Sequence, residues 1–177
     1  MKTSAALVVM ATVCVGSAWA EPERPYLGLD YQLGEFKSKS GSTAKPTAVR
    51  LRAGTEIAPM FAVEAHAAVG AGKDSIQVPG VSYDVNLKGL YALFMRPQLS
   101  LGGVASIYGL LGYSYADIES KSSAESVQPS QRGFEKRVSY GGGIDFQVVD
   151  NTRLSIDYVD YIAGYRAISA GVKYSFY

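Results

Sequence analysis

The chain has 177 residues, with 17 Lys+Arg against 16 Asp+Glu, one His and one Cys. A formal charge of +1 lacks the basic excess of a nucleic-acid binder, and 47% hydrophobic residues fall short of a bundle of membrane-spanning helices. The 19 glycines, 13 tyrosines and only 19% charged residues describe an extended, tyrosine-rich chain whose apolar residues are spread along it.

Residues 1–20 read as a cleaved secretory signal peptide. Lys2 supplies the positive start, Ala5 to Val15 the apolar stretch, and Ser17-Ala18-Trp19-Ala20 the small-x-small cleavage site. Residues 21–177 then form one domain. Losing the leader removes Lys2, Cys14 and Trp19, so the remainder is formally neutral and has neither Cys nor Trp. That excludes a disulfide scaffold, thiol catalysis and cysteine-ligated metal.

From there the chain alternates with period two. Leu27, Leu29, Tyr31 and Leu33 interleave with Gly28, Asp30, Gln32 and Gly34. Val49, Leu51, Ala53, Thr55 and Ile57 interleave with Arg50, Arg52, Gly54 and Glu56. Phe61, Val63, Ala65, Ala67 and Val69 are set against Glu64 and His66. Val85, Leu87, Tyr91, Leu93 and Met95 alternate with Asp84, Asn86, Lys88 and Arg96. Ile107 to Ile118 is apolar on both parities. Val138, Tyr140, Ile144, Phe146 and Val148 then alternate with Arg137, Ser139, Asp145 and Gln147. Leu154, Ile156 and Tyr158 alternate with Arg153, Ser155 and Asp157, and Ile168, Ala170, Val172, Tyr174 and Phe176 with Ser169, Gly171, Lys173 and Ser175.

These are eight strands with one apolar and one polar face, each near the ten residues a tilted strand needs to cross a bilayer. Short connections are expected at Ile57–Met60, around Pro97 to Gly103, at Asp150–Thr152 and near Ala163-Gly164. Long polar ones are expected over Lys37–Thr47, Lys73–Ser82 and Glu119–Lys136. The fold expected is all-β: an eight-stranded antiparallel transmembrane β-barrel of outer-membrane type, with both termini on the short-turn, periplasmic side. The polar parity mixes Gly, Ser and Asn with balanced charge, which suits an enclosed lumen. Tyr26, Tyr83, Tyr158, Tyr161, Tyr174 and Tyr177 sit near strand ends, where an interfacial girdle would lie.

On this parity the lumen receives Asp30, Arg50, Arg52, Glu56, Glu64, His66, Asp84, Lys88, Arg137, Asp145, Arg153, Asp157 and Lys173. Enclosed charges must pair, since an unpaired one costs several kcal/mol. Two readings follow: a charge-paired plug that fixes register, or a polar track for ions and small solutes gated by an Arg–Glu pair. His66, two residues from Glu64 on one face, has the makings of a base with its orienting carboxylate. No nucleophile is marked beside it, and its mid-strand position is far from a lipid-reaching rim, so it reads as a member of the ion-pair network. No catalytic residue, cofactor or metal site is expected. Lys37, Lys39 and Lys45 punctuate the first loop, where phosphates of lipopolysaccharide are within their chemistry, and a solvated loop is the plain alternative. Gly141-Gly142-Gly143 lies inside a strand pattern and marks close packing or a bend of the wall.

The Tyr26–Tyr31 strand, the Gly109–Tyr115 strand and the closing Gly171–Phe176 resemble the small outer-membrane β-barrel family of Gram-negative bacteria, the group of OmpA transmembrane domains and OmpX-like proteins. The resemblance covers the whole of residues 21–177 and rests on patterns of alternation. It implies outer-membrane localisation and contact with outer-membrane lipid and lipopolysaccharide. The aromatic end at Tyr174, Phe176 and Tyr177 resembles the signal read by the barrel-assembly machinery, although the family usually ends on Phe itself. Expected with this are a monomer, no nucleic-acid partner, and a non-enzymatic structural or surface-contact role toward host or neighbouring cells. A narrow channel and a lipid-modifying enzyme are the alternatives.

Overall fold

The computed structural model describes residues 24–37, 43–72, 74–78, 81–122 and 131–176; residues 1–20, the expected signal peptide, lie outside them. The strands are β1 (Arg24–Lys37), β2 (Thr43–Ala44), β3 (Thr47–Ala58), β4 (Phe61–Gly72), β5 (Asp74–Val78), β6 (Val81–Leu101), β7 (Ala105–Ser122), β8 (Gln131–Val149), β9 (Thr152–Ile162) and β10 (Tyr165–Ser175). Every pairing is antiparallel, and β10 hydrogen-bonds back to β1 with Tyr26 opposite Ser175 and Phe36 opposite Tyr165. The wall is therefore the closed eight-stranded barrel expected: β1, β3, β4, β6, β7, β8, β9 and β10. Closure leaves no open edge, which is what a backbone surrounded by hydrocarbon requires. Both described ends and the turns at Pro59-Met60, Gly102–Val104 and Asp150-Asn151 share one end of the barrel, called here the terminal end.

The connections differ from expectation in four places. Thr43–Ala44, inside the expected Lys37–Thr47 loop, form β2 and pair with the end of β1. Pro97 does not open a turn; β6 runs through it to Leu101, its missing N–H tolerated where the β6–β7 ladder lapses between Met95 and Gln98. Part of the Lys73–Ser82 loop is β5, paired with β6 as a hairpin, because Ser75-Ile76-Gln77-Val78 and Val81-Ser82-Tyr83 alternate like strands. Much of the Glu119–Lys136 loop is strand as well. β7 and β8 stay paired from Tyr115 opposite Lys136 to Ser120 opposite Gln131, whereas β9 ends at Ile162. β5 to β8 thus project past the rest of the wall at the loop end.

Outward positions are apolar: Leu29, Leu51, Leu93, Leu111, Val138, Ile156 and Ile168 are all exposed large side chains. Inward positions are not uniformly polar. From mid-barrel to the loop end the lumen holds Ala48, Ala68, Leu87, Leu90, Phe94, Val159, Ile162, Tyr165 and Ala167, packed as one cluster with Phe36. Leu87 enters it through a bulge between Leu87 and Gly89, which reverses the parity of β6 above Tyr91.

Two of the expected girdle tyrosines, Tyr26 and Tyr161, point inward and are buried, whereas Tyr158 and Tyr174 face outward. The lumen tyrosines lie over glycines of neighbouring strands. A Cβ on Gly54 would come within 2.5 Å of the Tyr26 ring, one on Gly34 within 2.7 Å of Tyr165, and one on Gly143 within 2.7 Å of Tyr108. The glycine run therefore makes room for a ring, in line with the close packing expected there. Chain reversal itself demands glycine at Gly164, φ 81° in the β9–β10 turn, and at Gly102 and Gly103, φ 64° and 79° in the β6–β7 turn.

Gly54→Val is expected to lower stability by about 1–3 kcal/mol by displacing Tyr26, whereas Gly109→Ala, whose Cβ meets only Pro97 Cγ at 3.6 Å, is expected to be neutral. Urea-dependent gel mobility of the folded barrels checks this, and equal midpoints would contradict it.

Candidate functional site

The candidate site is the charged half of the lumen. Direct pairing of β1 with β3 sets Asp30 opposite Arg50, and β3 with β4 sets Arg52 opposite His66, so alternation alone delivers these groups to one another. Arg50 Nε donates to Asp30 Oδ2 at 2.8 Å, Nη2 to Asp157 Oδ2 at 2.6 Å, and Nη1 to the Tyr161 hydroxyl at 2.8 Å. Arg52 binds Asp30 Oδ1 closely and reaches Asp157 Oδ2 at 3.4 Å and the Tyr108 hydroxyl at 3.2 Å.

Toward the terminal end, Glu64 takes the place of Asp157 as the shared acceptor. Tyr26 donates to Glu64 Oε2 at 2.6 Å, and Arg96 lies 3.6 Å from the same oxygen. Arg96 also donates to Asp145 Oδ2 at 2.6 Å with its guanidinium 3.8 Å above the Tyr108 ring. Asp145 is completed by Lys173 and by the Ser155 hydroxyl at 2.6 Å. Four carboxylates (Asp30, Glu64, Asp145 and Asp157) thus face four cations (Arg50, Arg52, Arg96 and Lys173), all buried. Neutrality with shared hydrogen bonds is the condition under which such groups are tolerated away from water.

His66 is 2% exposed and both ring nitrogens are engaged: Nε2 with Glu64 Oε1 at 2.7 Å and Nδ1 with the Tyr161 hydroxyl at 3.0 Å. The network assigns its tautomer. Nε2 carries the hydrogen toward the carboxylate, and Tyr161 donates to Nδ1 while accepting from Arg50 and from Gln32 Nε2 at 3.1 Å. The ring packs on Phe94 at 4.8 Å and so joins the charged half to the apolar half.

Of the expected lumen set, Asp30, Arg50, Arg52, Glu64, His66, Asp145, Asp157 and Lys173 lie in this network. Glu56 and Arg153 are half-buried at the terminal mouth. Lys88 is a correction: the β6 bulge turns it outward, and it is exposed. Arg137 is another, since its parity is inward but it lies above the last β8–β9 pair, Tyr140 with Asp160, where the barrel no longer encloses it. It is exposed and lies 3.9 Å from Asp160. The Asp84, Lys39 and Tyr177 side chains lie outside the described residues. Lys37 and Lys45 are exposed at the loop end, Lys37 being 3.6 Å from Glu35. Tyr174 and Phe176 are exposed on the outer wall, ring to ring at 5.1 Å.

Arg96 is the network member absent from the expected set. Its polar parity between Met95 and Pro97 was visible, but the adjacent proline suggested a turn. Tyr26, Tyr108 and Tyr161, which supply the hydroxyls, are invisible to a rule that assigns tyrosine to interfaces.

Arg50→Met is expected to cost about 3–5 kcal/mol, because Asp30 and Asp157 lose a shared cation while remaining buried. Adding Asp157→Asn should recover part of it. Urea midpoints in lipid vesicles measure both, and a single-variant cost below about 1 kcal/mol would show that the network does not bear on stability.

A family model described as Outer membrane protein beta-barrel domain matches residues 5–176. Among solved structures, the chain is similar to Ail, the attachment invasion locus protein of Yersinia pestis, in complex with the heparin analogue sucrose octasulfate. There the TM-score is 0.63 and the identity 17% over 88% of this chain and 100% of that one. It is similar also to Neisserial surface protein A, at TM-score 0.60 and 18% identity over 88% and 100% of the two chains. A third is OprG of Pseudomonas aeruginosa, at TM-score 0.58 and 13% identity over 89% and 97%. No curated protein matches the sequence. The closed eight-stranded wall, its apolar exterior and the family match over nearly the whole chain lead to one assignment: the protein belongs to the outer-membrane protein β-barrel domain family.

Proposed function

We propose that this protein is a non-catalytic outer-membrane barrel with a sealed lumen, and that its loop end contacts phosphorylated or sulfated glycans, lipopolysaccharide first among them. The observation that carries the reading is the double filling of the interior. The terminal half is occupied by a neutral, mutually bonded charge network and the loop half by an apolar cluster. A track for ions needs polar groups along its length, and Leu90, Phe94, Ile162 and Tyr165 interrupt it. With the interior closed, the ends remain for function.

In the orientation usual for such barrels, short turns and termini face the periplasm and the loops face outward. Tyr174 and Phe176 on the outer wall suit the assembly signal expected of the last strand, and a leader cleaved after Ala20 suits export. A monomer without cofactor satisfies this architecture. The enzyme alternative loses support from His66, whose two nitrogens are both committed inside the wall. Support for the glycan reading comes from exposed Lys37 and Lys45 at the loop end, with Lys39 between them in sequence. Ail, solved with a heparin analogue, supports the same direction on the same fold.

Each cation near an anionic membrane surface contributes about 1 kcal/mol at low salt. The combined Lys37→Gln, Lys39→Gln and Lys45→Gln variant is therefore expected to bind lipopolysaccharide vesicles about 10- to 100-fold more weakly, with the difference shrinking as salt rises. Immobilised heparin serves as the second arm. Loss on vesicles alone assigns a lipid headgroup and loss on heparin alone a sulfated glycan, while unchanged binding on both would overturn the reading.

A further inference from the structure

A cavity of about 10 Å³ opens at the terminal end of the lumen, between the Gly102–Val104 turn and the inner faces of β7, β8 and β9. That is room for one water molecule or one small ion at a partly open mouth. The ladder explains its walls: Ser106 lies opposite Asp145, and Gln147 opposite Arg153, all on the inward parity.

Two of these groups are left over by the network. Ser106 is 5% exposed and its hydroxyl has no hydrogen-bond partner. A buried hydroxyl without a partner costs about 1–3 kcal/mol, so an occupant that accepts its hydrogen is favoured. Arg153 is half-buried and forms no ion pair with any described carboxylate. Both line the same cavity.

The charge around the cavity decides what fits. Asp145, the carboxylate in its wall, is already held by Arg96, Lys173 and the Ser155 hydroxyl. Glu64, 3.6 Å from Arg96, is already shared with His66 and Arg52. Arg153 therefore adds a cation to a corner where Arg96 and Lys173 already share one acid. A cation would be repelled there, and a water would satisfy Ser106 while leaving Arg153 uncompensated. An anion accepts from the hydroxyl and the guanidinium together, in the stronger charge-assisted kind of bond. We propose that this cavity binds one small inorganic anion, of chloride size, between Ser106 and Arg153 at the periplasmic mouth. The proposal is independent of the loop-end reading, since it rests on the opposite end of the barrel.

Bromide is the probe, because it replaces chloride and scatters anomalously. Crystals of the folded barrel grown in sodium bromide are expected to show an anomalous peak touching the Ser106 hydroxyl and the Arg153 guanidinium, lost in Arg153→Gln. In solution, replacing chloride by gluconate at equal ionic strength is expected to lower the unfolding midpoint of the wild type and to leave Arg153→Gln unmoved. An ordered water without anomalous signal, an empty cavity, or a midpoint indifferent to the anion in the wild type would each overturn the proposal.

Discussion

Neutrality inside a closed wall is the constraint on which the rest of this molecule depends. An eight-stranded barrel has a lumen narrow enough to be filled by its own side chains, and its wall is bathed in lipid. Alternation sends every second side chain inward, so each inward charge must find its counter-charge across the bore. Asp30, Arg50, Arg52 and Asp157 meet this from β1, β3 and β9: β1 and β3 are paired directly, and closure of the barrel brings Asp157 of the sequence-distant β9 to them. Because each carboxylate is shared by two or more donors, the network ties opposite walls together and pins their register. A slip of one residue would carry these charges to the lipid face, where a cation costs about 2–4 kcal/mol at the bilayer midplane.

The tyrosines do the complementary work. Tyr26, Tyr108 and Tyr161 each place a hydroxyl among the charges and a ring against a neighbour, so one residue type both satisfies the network and fills the bore. Tyr161 is the joint between the two halves. Its hydroxyl bonds His66 and Arg50, and its ring lies 6.2 Å from Phe94 and 6.3 Å from Tyr165. Beyond that joint the lumen turns apolar. The bore is thus filled by two different kinds of packing in series.

Much of this was legible in the alternation. Period two over about ten residues, interrupted by turn signals, specifies the wall, its closure and the inward parity of Asp30, Arg50, Arg52, Glu64, His66, Asp145, Asp157 and Lys173. What parity cannot carry is a change of parity. The bulge at Lys88 is marked only by Gly89 within the strand pattern, a sign that alternation by itself does not read, and it exchanges the faces of Leu87 and Lys88. Nor does parity say how high the wall stands. Arg137 has the inward phase, but β9 stops short of it, and exposure follows from strand length rather than pattern. Tyrosine is ambiguous in a barrel because an interface and a glycine-floored lumen both suit it. Arg96 was hidden by its neighbour, since Pro97 reads as a turn until the lapse in the β6–β7 ladder shows how a strand can hold it.

The central claim is that charge network and apolar cluster together close the lumen. Recording conductance of the refolded barrel in planar bilayers, with heat-dependent gel mobility to prove that it has folded, tests this most directly. A folded barrel that gives no discrete current steps is the result expected. Reproducible single-channel steps from the same folded material would contradict it, and would show that the layer around Leu90, Phe94 and Ile162 opens to admit ions.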